Sequence, residues 1–223
     1  PYMRANVSWD PVKDFAPISW LTTTPCVVVV HPALAVKSVK ELIGLAKARP
    51  GVLNYGSGAS GVITHLAPEL FKSMTGTDIV RVPYKAAPQA ITGLISGEVQ
   101  IMFATAASIS IHVKSGKVRA LAVTSAKPSA LFPNMPTMAS VGLPGYEAAS
   151  TNGIFTSPGT PATVIRRLNQ EIVRALTQAE VKEKFLSAEI EVVASSPHEL
   201  AAMMKSEMAR MGKVIKDSGI RDD

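Results

Sequence analysis

Asn54-Tyr55-Gly56-Ser57-Gly58-Ala59-Ser60-Gly61 carries a short strand into a glycine-rich turn, and the turn into a stretch with helical spacing (Leu66, Leu70, Met74) that Gly76 stops. Strand, turn and helix therefore follow one another within about twenty residues. The same alternation continues downstream. Ile79–Val82 reads as a strand, Pro88–Ile95 as a helix, Val99–Phe103 as a strand, Ser108–Lys114 as a helix and Val118–Val123 as a strand. Such βαβ alternation predicts an α/β fold with a mainly parallel sheet, whose ligands bind at the carboxyl ends of the strands.

Upstream, Cys26–Val30 is a continuous run of small apolar and β-branched residues, the pattern of a strand buried on both faces. Ser38-x-x-Glu41 forms a capping-box sequence at the start of a helix with an apolar stripe of Val39, Leu42, Ile43 and Ala46, ended by Pro50-Gly51. After Ser125, prolines at 128, 133, 136, 144, 158 and 161 break the chain into loops and mark a boundary or crossover. Thr160-Pro161 is expected to cap a long helix, and Ser196-Pro197-His198-Glu199 opens another whose methionines, Met204, Met208 and Met211, share one packing face.

Composition narrows the classes. With 47% apolar residues over 223 positions, the chain can bury one sizeable core or two small ones. A net charge of +6 mildly favours anionic partners. The basic residues are scattered, without interleaved aromatics or a nucleic-acid-binding motif, so no nucleic-acid partner is expected. One cysteine excludes an intrachain disulfide and a cysteine-rich metal site. The longest apolar run is too short to span a bilayer, and any export signal is expected to have been removed or to lie upstream.

The chemistry concentrates in the turns. A glycine-rich turn between strand and helix exposes backbone N–H groups at the positive end of a helix dipole, which makes an anion cradle. Ser57, Gly58, Ala59, Ser60 and Gly61 are its candidate donors, and Ser60 can alternatively cap the helix. Gly56, Gly58 and Gly61 also satisfy G-x-G-x-x-G, but a dinucleotide site needs an acidic residue near the end of the next strand. Val82-Pro83-Tyr84-Lys85 stands there instead, and no cofactor is expected. Tyr84, Lys85, Ala86 and Ala87 form a second strand-to-helix turn on the same sheet edge, with Lys85 as a possible counter-charge. Thr105 and Ala106, within Phe103–Ala107, lie in a third. His65 stands close enough in sequence to suggest a serine-type hydrolase with Ser57 or Ser60, but the G-x-S-x-G elbow and an orienting carboxylate are missing. His31, His112 and His198 are isolated, which gives no support to a catalytic metal.

Several segments, in order, resemble the solute receptors of tripartite tricarboxylate transporters, the Bug receptors. They are Asp14–Ile18, Val36–Leu42, Ala46–Gly51, Asn54–Ser57 with His65-Leu66, Val82–Lys85, Gly116–Ser125, Pro133–Thr137 and Ser157–Pro161. The resemblance implies a type II periplasmic-binding-protein fold: two lobes joined by two crossover segments, with mainly parallel sheets. One lobe would be residues 25–122 and the other 1–24 with 123–223. It further implies a periplasmic receptor, not an enzyme, that captures a small mono- or dicarboxylate without a cofactor and passes it to membrane transporter subunits. Ligand contacts would come from the three turns, faced by Thr151 and Asn152 from the other lobe. Family members normally begin with another βαβ region carrying a glycine-rich loop. The second lobe is therefore expected to be incomplete, and a non-binding fragment that self-associates is the alternative. Ser150–Gly153 stands where a tryptophan is frequent, and Ala86-Ala87 where glycines are usual. Both changes reshape the pocket, so ligand identity does not carry over.

Overall fold

Fourteen elements follow one another in the computed structural model, which describes residues 1–4 and 6–221. They are β1 (Ala16–Val30), α1 (Val39–Ala48), β2 (Asn54–Ser57), α2 (Ile63–Thr75), β3 (Val80–Pro83), α3 (Ala87–Ser96), β4 (Ile101–Thr105), α4 (Ala106–Lys114), β5 (Arg119–Val123), β6 (Ala149–Thr156), α5 (Ala162–Leu176), α6 (Ala179–Ser187), β7 (Glu191–Val192) and α7 (Pro197–Asp217). They divide into two units. One is Pro25–Ser150, and the other combines Pro1–Thr24 with the chain from Thr151 onward.

The Pro25–Ser150 unit is built on strands in the order β3-β2-β4-β1-β5. β2 runs parallel to β3 and to β4, whereas β1 is antiparallel to both β4 and β5. The sheet is therefore mixed rather than mainly parallel. The continuous run Cys26–Val30 records burial on both faces, which a central strand has whichever way it points. All five of these residues are fully buried.

Alternation sorts the side chains to the two faces. Val27 and Val29, with their partners Ala104 and Met102, pack with Ile91 and Leu94 of α3 and Ile109 of α4. Val28 pairs with Phe103, whose ring meets Phe71 of α2 at a centroid distance of 5.7 Å. Helices thus cover both faces, α3 and α4 on one and α2 on the other.

The second boundary falls at residues 150/151, not at the expected 122/123. Backbone bonds sew the proline-rich segment to the first unit: Val123 N–H to Pro136 O, Met138 N–H to Val123 O, and Ala148 N–H to Thr124 O, each at 2.9 Å. Tyr146, almost fully buried, donates to Ala67 O at 2.7 Å. Prolines interrupt regular elements without preventing a segment from packing.

In the other unit, β7 pairs antiparallel with the first half of β1 through Thr22↔Val192 and Thr23↔Glu191, and β6 also pairs with β1. Asn169 donates to both Ile18 O and Ser195 O, tying α5 to this sheet. The capping box at Ser196 and Glu199 forms as expected. Thr160 does not cap α5: Pro161 occupies the cap, and the Thr160 hydroxyl pairs with that of Thr156 at 2.9 Å.

Candidate ligand-binding site

The register brings three turns to one sheet edge. Ser57 is level with Pro83, and Gly56 with Met102, so the chain leaves β2, β3 and β4 in the same direction. Each strand then turns into a helix, α2, α3 or α4, whose first N–H groups have no intrahelical acceptor. Among the described residues, the N–H groups of Ala59 and Ser60 in the first turn, and of Lys85, Ala86 and Ala87 in the second, have no acceptor. Ala59, Ser60, Lys85 and Ala86 are exposed, and the Lys85 ammonium has no partner among the described residues. That arrangement is suited to an anion.

Other expected donors are already engaged. Gly58 N–H donates to Thr64 Oγ1 at 3.2 Å, and Gly61 N–H to His65 Nδ1 at 3.1 Å. Ser57 is fully buried, and its Oγ accepts from Arg81 Nε at 2.8 Å. Ser60 does not cap α2, whose cap position is Val62 without a side-chain bond. The Ser60 hydroxyl accepts from Arg81 Nη1 at 3.2 Å.

Tyr84 lies elsewhere than its place in the motif implies. Alternation turns it with Val82 toward the α3 face, where it packs against the core. A Cβ on Gly93 would come within 2.8 Å of the Tyr84 ring, so glycine is what lets this ring lie against α3. Burial, and then the Glu98 carboxylate, raise its phenol above the usual range. In the third turn, the Thr105 hydroxyl donates to Ser108 Oγ at 2.9 Å and Ala106 is fully buried. Thr151 and Asn152 lie exposed on β6 of the other unit, where the Asn152 amide donates to Thr22 Oγ1 at 3.2 Å.

Arg81 escaped the sequence reading. It pairs with Tyr55 in the parallel register, so its side chain emerges on the same face as Tyr55 and Ser57. From there it reaches the first turn. A charge at an alternate position of a four-residue strand beside that turn was the available signal.

His65 and the serines do not form a catalytic pair. His65 Nδ1 accepts from Gly61 N–H, and the Ser57 hydroxyl donates to Gly58 O at 3.2 Å. Burial first, and then the Arg81 charge, lower the His65 imidazole from 6.5 to about 4. A histidine buried neutral stabilises the fold fully above its unfolded value and loses that contribution as pH falls toward its folded value. Wild-type protein is therefore expected to lose up to about 3 kcal/mol more than His65→Gln between pH 7 and pH 4. Urea unfolding across that range measures it, and equal slopes for the two proteins would contradict the neutral buried state.

Cys26 is fully buried, and burial pushes its thiol up to about 12, which removes it as a nucleophile. Among the described residues no cluster of three or more His, Cys, Asp or Glu side chains could hold a metal, and no helix is long and apolar enough to cross a membrane. A cavity of about 520 Å³ in the Pro25–Ser150 unit lies apart from the turns, lined by Leu121, Phe132 and Met135 among others.

An α/β unit with unpaired turn amides at the carboxyl edge of its parallel strands has the layout at which open α/β folds bind their ligands. The tripartite tricarboxylate transporter family receptor matches residues 1–220, and the chain belongs to that family, a receptor family rather than an enzyme family. BugT of Bordetella pertussis is 32% identical over 219 residues, covering 98% of this chain and 67% of BugT. A UPF0065 protein from the tcbD-tcbE intergenic region of Pseudomonas sp. (strain P51) is 33% identical over 215 residues, 96% of this chain and 64% of that protein. The chain thus spans about two thirds of the length of these curated relatives. Among solved structures, R. palustris Rpa4515 with adipate is 34% identical with a TM-score of 0.81, covering 98% of this chain and 73% of that one. BugD, described as a periplasmic binding protein, shares the fold at 24% identity and a TM-score of 0.79, covering 100% of this chain and 75% of its own.

Proposed function

We propose that the chain is a periplasmic receptor that captures a small mono- or dicarboxylate at these turns and passes it to membrane subunits of a tripartite tricarboxylate-type transporter. The observation that carries this reading is the set of five unpaired N–H groups, on Ala59, Ser60, Lys85, Ala86 and Ala87, at one edge of the sheet. A carboxylate accepts from such amides without a metal or a covalent step, and charge-assisted bonds of this kind are about twice as strong as neutral ones. Lys85 adds a counter-charge. Family membership and the adipate held by a relative of 34% identity support the same ligand class.

Thermal unfolding across a panel of mono- and dicarboxylates, adipate included, tests the reading. A ligand that binds only the folded state adds about 2.7 kcal/mol at a hundred times its Kd, so a dose-dependent rise in Tm is expected for at least one compound. No rise with any carboxylate at millimolar concentration would count against it.

A further inference from the structure

Arg81 holds the first turn through three side-chain hydrogen bonds. Its Nε donates to Ser57 Oγ at 2.8 Å, its Nη1 to Ser60 Oγ at 3.2 Å and its Nη2 to Gly58 O at 3.0 Å. One rigid guanidinium therefore spans both serines and the carbonyl between them. A hydroxyl whose oxygen accepts from an arginine keeps its own proton to donate. The Ser57 proton points to Gly58 O at 3.2 Å, longer than an ordinary O–H···O bond. Ser60, on the exposed side of the turn, has only the Arg81 contact among the described residues, so its proton is available to an incoming acceptor.

Resting on the carboxylate-receptor reading above, we infer that Arg81 is the positioning residue of the site. It clamps residues 57–60 so that the Ala59 and Ser60 amides and the Ser60 hydroxyl all point to one acceptor. It also sets a positive charge one hydroxyl behind the bound carboxylate. The ligand is thereby selected as an anion, not as an isosteric amide, without forming a direct ion pair to Arg81. Lysine cannot replace this fork, because a point charge on a flexible stem does not hold three acceptors in one plane.

The inference is tested with Arg81→Lys and Arg81→Gln, each made in the natural background and in a Ser57→Ala/Ser60→Ala background. Adipate binding is read by calorimetry, and exchange of the 58–61 amides is read without ligand. In the natural background both substitutions are expected to weaken adipate binding by about tenfold or more, the lysine included although it keeps the charge. Turn amides are expected to exchange faster in both ligand-free variants while exchange in α3 and β4 is unchanged. Because Arg81 acts through the serines, the cost of Arg81→Gln is expected to shrink to about threefold or less when both serines are absent. Three results would overturn the assignment: lysine binding adipate like wild type, an undiminished cost in the serine-free background, or unchanged exchange in the turn. Failure of wild-type protein to bind adipate or any carboxylate in the panel would instead sink the receptor reading. The ligand-free exchange experiment still decides whether Arg81 holds the turn.

Discussion

Thr124→Val is expected to destabilise the protein by about 3 kcal/mol, although valine has nearly the same shape as threonine. The Thr124 hydroxyl is fully buried just beyond the end of β5. It accepts from Cys26 N–H at 2.8 Å and lies 2.9 Å from Cys26 O and 2.5 Å from Ala148 O, so its one proton serves these two carbonyls. Valine leaves the Cys26 N–H without an acceptor inside the protein and takes away the donor facing Ala148 O. Each buried backbone group left unpaired costs about 1–3 kcal/mol. Thr124→Ser keeps the hydroxyl and is expected to cost about 1 kcal/mol, the value of a lost methyl group. Urea unfolding midpoints for the two variants measure the difference. If valine were tolerated as well as serine, the hydroxyl would not be what joins these segments.

Phe103→Ala is expected to cost about 4 kcal/mol, and Phe103→Leu about 1.5 kcal/mol. Phe103 is fully buried at the centre of β4, between Val28 on the neighbouring strand and Phe71 on α2. Removing the ring leaves a cavity that a paired strand and a packed helix cannot easily close. The consequence extends to the candidate site, because the first turn of α2 supplies Thr64 and His65, which hold Gly58 and Gly61. Amide exchange in the alanine variant is expected to rise first along residues 57–70, ahead of α3 and α4, which pack on the opposite face. Uniform acceleration over the whole unit would show that α2 is not docked through this ring.

Local signals carried a large share of the fold. The glycine-rich turn, the apolar stripe of α2 and the stop at Gly76 are properties of contiguous residues. Gly76 takes a left-handed φ of 62° at the end of α2, where glycine has no Cβ penalty. The convergence of the three turns was also legible, because parallel β2, β3 and β4 must each leave the sheet in the same direction. Which turn groups remain open was less so. Gly58 and Gly61 read as donors from their motif, yet Thr64 and His65, six and four residues on, accept from them once α2 has formed. Tyr84 stands in the second turn by sequence and, half-buried, packs against the core by structure, because strand alternation turns it toward α3.

The sequence by itself determined most elements of the Pro25–Ser150 unit, the α/β class and the receptor family, since these depend on spacing, turn chemistry and contiguous motifs. Tertiary structure alone decided that β1 runs antiparallel through the centre of the sheet, that residues 123–150 pack with the first unit, and that Arg81 bonds Ser57 and Ser60. Each of those depends on partners dozens of residues apart in the chain. Periodicity reports which faces are buried, but neither the direction of a strand nor the identity of the group waiting across the sheet.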